Sequence, residues 1–318
     1  MSIINYLLSS FSIGIIFLLG ATGEIITEKV GHLNLGIPGV MSVGAAGGCV
    51  ALQLMYGHNI PGALIVIISL LACFISAGLM GVLYIFLTVS LHSNQNVTGL
   101  ALTTFGVGIT KFIMSKLTRI GAHEYLYALE YFRAPFTKMS NSLKYCGVMT
   151  FLALIIAVYA SYFLYRTKKG LNLRAIGESA ATADAVGINV TAYKYLATIV
   201  GSGIAGLGGL YYIMDYAGSQ EAYLSIEALG WLSVALVIFS LWKPLICILG
   251  SYVFGLLYIA NAYASSILGI QLPMSMTPLI KLLPYVFTII VLILTSIRKK
   301  RENQPPAGLG ITYFREER

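Results

Sequence analysis

The chain has 318 residues, 58% of them hydrophobic and 10% charged, with a mean hydropathy of +0.83 and a formal net charge of +8. A soluble domain carries about 25% charged residues, so this composition excludes a soluble enzyme, a nucleic-acid-binding domain or a disordered tail for the bulk of the chain. What remains is an all-α integral membrane protein, a polytopic helical bundle of roughly eight to ten transmembrane helices at about 20 apolar residues per span.

Taken in chain order, the apolar runs predict helices over 3–21, 39–56, 61–89, 97–114, 145–165, 195–214, 226–241, 244–264 and 280–297. The runs are long and continuous, whereas barrel strands are shorter and alternate polar with apolar residues. The first run lacks a basic leader and a clean cleavage pattern, so it reads as a retained helix rather than a signal peptide. Arg166, Lys168, Lys169 and Arg174 crowd one loop, and Arg298, Lys299, Lys300 and Arg301 follow the last span. Four spans separate these clusters, so both fall on one side, which the positive-inside rule makes the cytoplasm. That placement puts loop 117–143 outside despite Arg119, Arg133 and Lys138, which Glu124 and Glu130 partly balance. The first span starts outside if residues 22–38 form a complete loop, and inside if they form a re-entrant or broken segment. No linker or second folded domain is visible: residues 1–302 read as one transmembrane domain and 303–318 as a short polar tail.

Three segments interrupt this pattern. Residues 23–39 are polar and rich in helix breakers, yet wedged between two spans. Irregular backbone at membrane depth survives only where protein buries it or where it lines a wet cavity, so the stretch is either a broken helix bordering a transport path or an ordinary surface loop. Glu24 and Glu28 lie in it beside Lys29, and a structural ion pair is the favoured reading over a proton carrier. Residues 171–190 are too polar to span. From about Glu178 to Val186 they are rich in alanine and end at Gly187, where a helix C-cap belongs, which predicts a short helix on the membrane surface. Residues 201–209 contain GxGxxG inside an apolar span; without a preceding strand and a βαβ unit they read as a close-packing face, as do Gly44 to Gly48.

The other polar residues read as structure. Cys49, Cys73, Cys146 and Cys247 form no CxxC pair, and His32, His58, His92 and His123 share no metal-ligand spacing. Lys111 and Lys281 lie near span ends and snorkel; Trp231 and Trp242 suit the membrane interface; and Trp242-Lys243-Pro244 reads as a tight turn. The sequence contains no GxxxxGK followed by Ser or Thr, no HExxH and no GxSxG, so the motifs for ATP hydrolysis, zinc proteolysis and serine hydrolysis are absent from it.

Three motifs in register carry a resemblance. The run Glu28-Lys29-Val30-Gly31-His32-Leu33-Asn34-Leu35-Gly36 onward resembles a signature of ABC importer permeases of the nucleoside and simple-sugar group, within the ribose and branched-chain amino acid permease superfamily. Residues 174–190, with Arg174-Ala175, Gly177-Glu178, Ala180-Ala181 and Gly187-Ile188, are similar to that group's cytoplasmic signature. Residues 235–255, with Ala235-Leu236-Val237-Ile238-Phe239 and Trp242-Lys243-Pro244, resemble a third motif, and Pro306-Ala307-Gly308-Leu309-Gly310 a tail motif. Two departures stand out. Pro38 replaces the usual acid, which puts a substrate role for that acid in doubt and reinforces a helix break. Ala180 replaces a proline, from which a longer or straighter short helix is expected.

The resemblance implies a permease subunit that pairs with a homologous second permease, binds cytoplasmic ABC ATPases and receives a small-molecule cargo from an external receptor lipoprotein of the basic-membrane-protein type. Nucleosides are the leading cargo, with simple sugars or a vitamin as alternatives; an ion-coupled secondary transporter and a membrane enzyme are the readings from other classes. ATP and magnesium would sit on the partner subunits and no cofactor in this chain. The resemblance makes residues 174–190 a coupling helix and Arg174, Gly177, Glu178, Ala183, Asp184 and Gly187 candidates for the ATPase contact. Asn34, Gly36 and Gly39 are candidates for the cargo path or its helix break.

Overall fold

The computed structural model describes residues 2–58, 60–118, 146–268, 279–280, 282–298 and 304–314. His123, Lys281, the cations Lys299, Lys300 and Arg301, and loop 117–143 beyond its first two residues lie outside them. Among the described residues the regular elements are helical. They are α1 (Ser2–Lys29), α2 (Ile37–Met55), α3 (Gly62–Ile85), α4 (Gln95–Thr118), α5 (Val148–Arg166), α6 (Lys168–Glu178), α7 (Ala180–Ala185), α8 (Val190–Tyr211), α9 (Ile226–Phe239), α10 (Pro244–Leu268) and α11 (Leu283–Arg298). A π turn extends α3 over Phe86–Ser90 and another extends α8 over Tyr212–Ala217, while a 3-10 turn over Gln220–Ser225 leads into α9. Eight of these segments are long and apolar enough to cross a membrane.

Helices α1 and α8 form the centre: α1 packs on α8 and α10, and α8 also packs on α2 and α3. Lipid tails are as apolar as leucine, so packing in a membrane rests on close backbone approach rather than on hiding apolar surface. The glycine runs provide it, as the sequence predicts. A Cβ on Gly201 of α8 would lie 2.5 Å from the Gly23 carbonyl oxygen of α1, and one on Gly44 of α2 would lie 2.7 Å from the Gly206 Cα of α8. Leucine, isoleucine and aromatic side chains stay exposed on the outer faces, including Ile67, Leu71, Ile75 and Leu79 of α3 and Ile155, Tyr159 and Tyr162 of α5. Such a belt suits lipid.

Three expectations change. The first span does not end at Ala21: α1 runs unbroken through Glu24 and Glu28 to Lys29. The buried polar side chains that should have broken it have partners inside the bundle. The surface-loop alternative for residues 23–39 also falls, because only 30–36 leave the helix and most of them are buried. Finally, the segment after α5 is not one lengthened helix from Glu178 onward. Ser179 is extended (φ −155°, ψ 102°), ending α6 and starting α7. Its hydroxyl accepts from the Thr182 amide at 3.3 Å, so a serine N-cap starts α7 immediately before Ala180.

Candidate functional site

The end of α1 is the most polar place in the interior. Irregular backbone here must find its hydrogen bonds within the protein, and residues 30–36 do so. The amides of Gly31 and His32 donate to the Glu28 and Thr27 carbonyls. The Leu33 amide donates to Gln95 Oε1 at 2.9 Å, the Asn34 amide to Glu24 Oε1 at 3.0 Å, and the Gly36 amide to Asn34 Oδ1 at 2.9 Å. The Leu33 and Leu35 carbonyls accept from the hydroxyls of Tyr84 and Thr103 at 2.7 and 2.8 Å. Pro38 then opens α2, where a missing amide costs nothing. Glu24 thus holds the break from inside α1, and Asn34 makes the turn.

Glu28 is buried and accepts from the Trp242 indole N–H. The expected ion pair with Lys29 is replaced by this bond; Lys29 lies instead with Arg174, Glu178 and Lys243 around a separate cavity of about 580 Å³. Trp242 correspondingly leaves the interface assigned to it from sequence. It sits buried in a tight turn where both Leu241 and Trp242 have positive φ, at 53° and 55°. The turn itself is as expected. Gly39 packs α2 against α4: a Cβ there would lie 2.5 Å from the Leu102 carbonyl oxygen and 2.7 Å from the Thr103 Cα. The three residues singled out for a cargo path therefore come together in one buried knot, with the Asn34 side-chain nitrogen lacking a hydrogen-bond partner among the described residues.

Beside this knot lies the platform of α6 and α7. Three side-chain caps punctuate it at helix starts: Thr167 accepts from the Gly170 amide at 3.0 Å, Ser179 from Thr182, and Asn189 from the Ala192 amide at 3.0 Å. Gly187 (φ +84°) closes α7, its amide donating to the Asp184 carbonyl while the Ile188 amide donates to Ala183. This is the Schellman pattern, which needs a left-handed residue. The six candidates divide by environment. Glu178 and Gly187 are exposed, whereas Gly177 and Ala183 are buried against the bundle. Arg174 is half-buried, its Nε donating to the Leu164 carbonyl at 2.9 Å and its guanidinium lying over the Tyr165 ring at 4.8 Å. Asp184 accepts from the Tyr313 hydroxyl at 2.9 Å. The outward face of α7 is carried instead by Ala181, Thr182, Ala185 and Val186, the last 73% exposed.

Sequence reading missed what joins the knot to the platform. Residues 304–314 fold back across both. The Gly308 amide donates to the Gly177 carbonyl, the Gly310 amide to the Gly31 carbonyl, and Pro306 is buried. Lys194, only 4% exposed, lies under the Tyr313 ring at 5.9 Å. A lysine four residues into a helix carries no motif, and no periodicity marks a tail that packs by backbone bonds. The one available signal was the tail motif Pro306-Ala307-Gly308-Leu309-Gly310.

The sequence profile described as "Branched-chain amino acid transport system / permease component" matches residues 6–295. A Haloferax volcanii protein named as a glucose ABC transporter permease is 31% identical over 327 residues, covering 95% of this chain and 94% of its own. The nucleoside ABC transporter permease protein NupC of Lactococcus lactis is 30% identical over 283 residues, 86% of each chain. The guanosine ABC transporter permease protein NupQ of Bacillus subtilis is 27% identical over 312 residues, covering 95% of this chain and 93% of its own.

Proposed function

The chain belongs to the branched-chain amino acid transport system permease family, and from that premise we propose that it is the membrane subunit of an ATP-driven importer whose cargo is a nucleoside. Two relatives that align along most of their length carry nucleoside or guanosine in their names, and this observation carries the reading. The glucose-named relative favours a simple sugar as the second reading.

In this reading the end of the bundle bearing Lys29, Arg174 and Lys243 faces the cytoplasm, as the excess of positive charge there favours. The exposed face of α7, with Glu178 before it and Gly187 after it, docks on a partner ATPase. ATP binding and hydrolysis on that partner push α7. The push passes through buried Ala183 and Gly177 to the end of α1, because backbone contact at Gly177 leaves little slack. Spans around the knot of Glu24, Asn34, Gly36 and Gly39 then rock between outward and inward states. A homologous second permease and an external receptor lipoprotein complete the assembly.

Capture of the tagged chain from its native membrane in mild detergent tests the assembly. The expected companions are an ATPase with a GxxxxGK motif, a second permease and a receptor. Ion-driven nucleoside transport by the chain alone in proteoliposomes would overturn the reading.

A further inference from the structure

Helices α5 and α8 both pack on α1 yet stand apart from each other, and the cleft between them is a cavity of about 550 Å³. Ile26 of α1 forms its floor. Ile155 and Tyr159 of α5 and Leu196 and Val200 of α8 form its sides, all four exposed on the outer face of the bundle. From Ala192 to Ile204 the wall follows α8 for about 18 Å at a rise of 1.5 Å per residue. One leaflet's hydrocarbon is about 15 Å deep, half of a core about 30 Å thick, so the groove has the reach of a single leaflet. Helix α6 closes the basic end with Leu173 and Lys169. There the Asn172 side-chain amide donates to the Tyr193 hydroxyl at 3.2 Å, which ties α6 to the start of α8 and sets the width of the mouth. Among the described residues Lys169 is the only charged residue of the wall, and it is exposed. Arg166, also exposed, continues the face of α5 that carries Tyr159 and Phe163, and exposed Lys168 stands beside Lys169. The acid of this region, Glu178, lies in the separate cavity with Lys29 and Arg174.

We propose that this groove binds one anionic phospholipid, with an acyl chain between α5 and α8 and the phosphate on Lys169, flanked by Arg166 and Lys168. Bulk lipid tails are as apolar as the wall, so the tail alone earns no preference over its neighbours. The preference comes from the mouth, where cations at the membrane surface attract anionic headgroups. A tail-shaped groove ending in cations without an acid matches a molecule with one apolar chain and one negative head. A protein surface matches it less well. The homologous second permease of the proposed assembly would carry its own cations at the same end of its spans, and like charges would then meet across the mouth. The site requires only that the chain span a membrane and is independent of the cargo.

The test uses the full chain with whatever companions it brings from its native membrane, placed in phosphatidylcholine nanodiscs. The probe is phosphatidylglycerol with a photoactivatable group on its acyl chain, and the labelled peptides are mapped by mass spectrometry. Label should concentrate on residues 155–163 and 192–204, and unlabelled phosphatidylglycerol should displace it while added phosphatidylcholine does not. The exposed belt of α3, with Ile67 and Leu71, reports ordinary contact with bulk lipid. Lys169→Gln should lower groove labelling about fivefold, one cation's share of the attraction to an anionic headgroup. Its side chain is exposed, so folding should be unaffected. Val200→Trp fills the cleft without touching a cation and should lower the label as well. Equal labelling of the groove and the α3 belt overturns the proposal, and so does displacement by phosphatidylcholine or labelling unchanged in both variants. A groove without label in the intact assembly, as it would be if the second permease covered it, overturns it too.

Discussion

The amide of Gly308 donates to the carbonyl of Gly177 at 2.8 Å, and on its other side Gly177 lies directly against the carbonyl of Lys29. Three distant stretches of chain therefore stack backbone to backbone at one glycine: the end of α1, the end of α6 and the tail. A methyl group at Gly177 would collide with the Lys29 carbonyl, and neither neighbour is a side chain that turns aside. Gly177→Ala should cost about 1–3 kcal/mol, the range for overpacking a tight contact. It should also free the tail to limited proteolysis after residue 303. An unchanged unfolding temperature with a protected tail would mean the stack is looser than described.

The crossing of α2 and α4 gives a second, internally controlled case. Gly39 and Gly106 face each other across it: a Cβ on Gly106 would lie 2.7 Å from the Gly39 carbonyl oxygen, whereas one on Gly108 meets nothing within 4 Å. Gly39→Ala and Gly106→Ala should each destabilise by about 1–3 kcal/mol, and Gly108→Ala should be neutral or slightly stabilising because alanine is the better helix former. Thermal unfolding of the three variants in detergent reads the difference. Equal behaviour of all three contradicts the crossing.

Trp242 holds Glu28 by its indole N–H. Phenylalanine keeps the ring but removes the donor, leaving a buried carboxylate short of a partner. The cost should be about 1–3 kcal/mol. Glu28→Gln keeps an acceptor for the indole and should cost less. Unfolding measurements on both variants, with Trp231→Phe as a control for the half-exposed indole, check the order.

Val186 stands on the outer face of α7, 73% exposed. Val186→Asp should leave folding and membrane insertion unchanged, because the side chain lies open on that face, yet abolish ATP-dependent uptake if this face docks on an ATPase. Asp184→Arg should also uncouple transport, but there the bond to Tyr313 is lost as well, so Val186 gives the cleaner reading. Wild-type uptake by the Val186 variant contradicts docking at α7.

Much of the bundle was legible because spans are written in composition. The runs 61–89, 226–241 and 244–264 needed only small changes at their ends, and the glycines of 201–209 announced close packing by their setting inside an apolar run. The errors share a cause. Glu24 and Glu28 looked like the end of a helix because their partners, Asn34 and Trp242, are supplied by tertiary structure. Ser179 caps the start of α7 from an extended backbone that ends α6, and a lone serine in an alanine-rich run carries no local sign of that break. Lys194 and Tyr313 were invisible because burial of a lone lysine under a tail ring depends on a fold-back that no local pattern encodes. Residues 174–190 hold the end of α6 and the whole of α7 rather than one helix, and a motif does not tell which of its residues face inward.

The most direct measurement is uptake of labelled nucleosides by cells with and without this chain, after other nucleoside carriers are removed, with unlabelled glucose and unlabelled nucleosides as competitors. A nucleoside importer predicts uptake that disappears with the chain and is competed only by nucleosides. Nucleoside uptake that persists unchanged without the chain would contradict it, and competition by glucose would move the cargo to simple sugars.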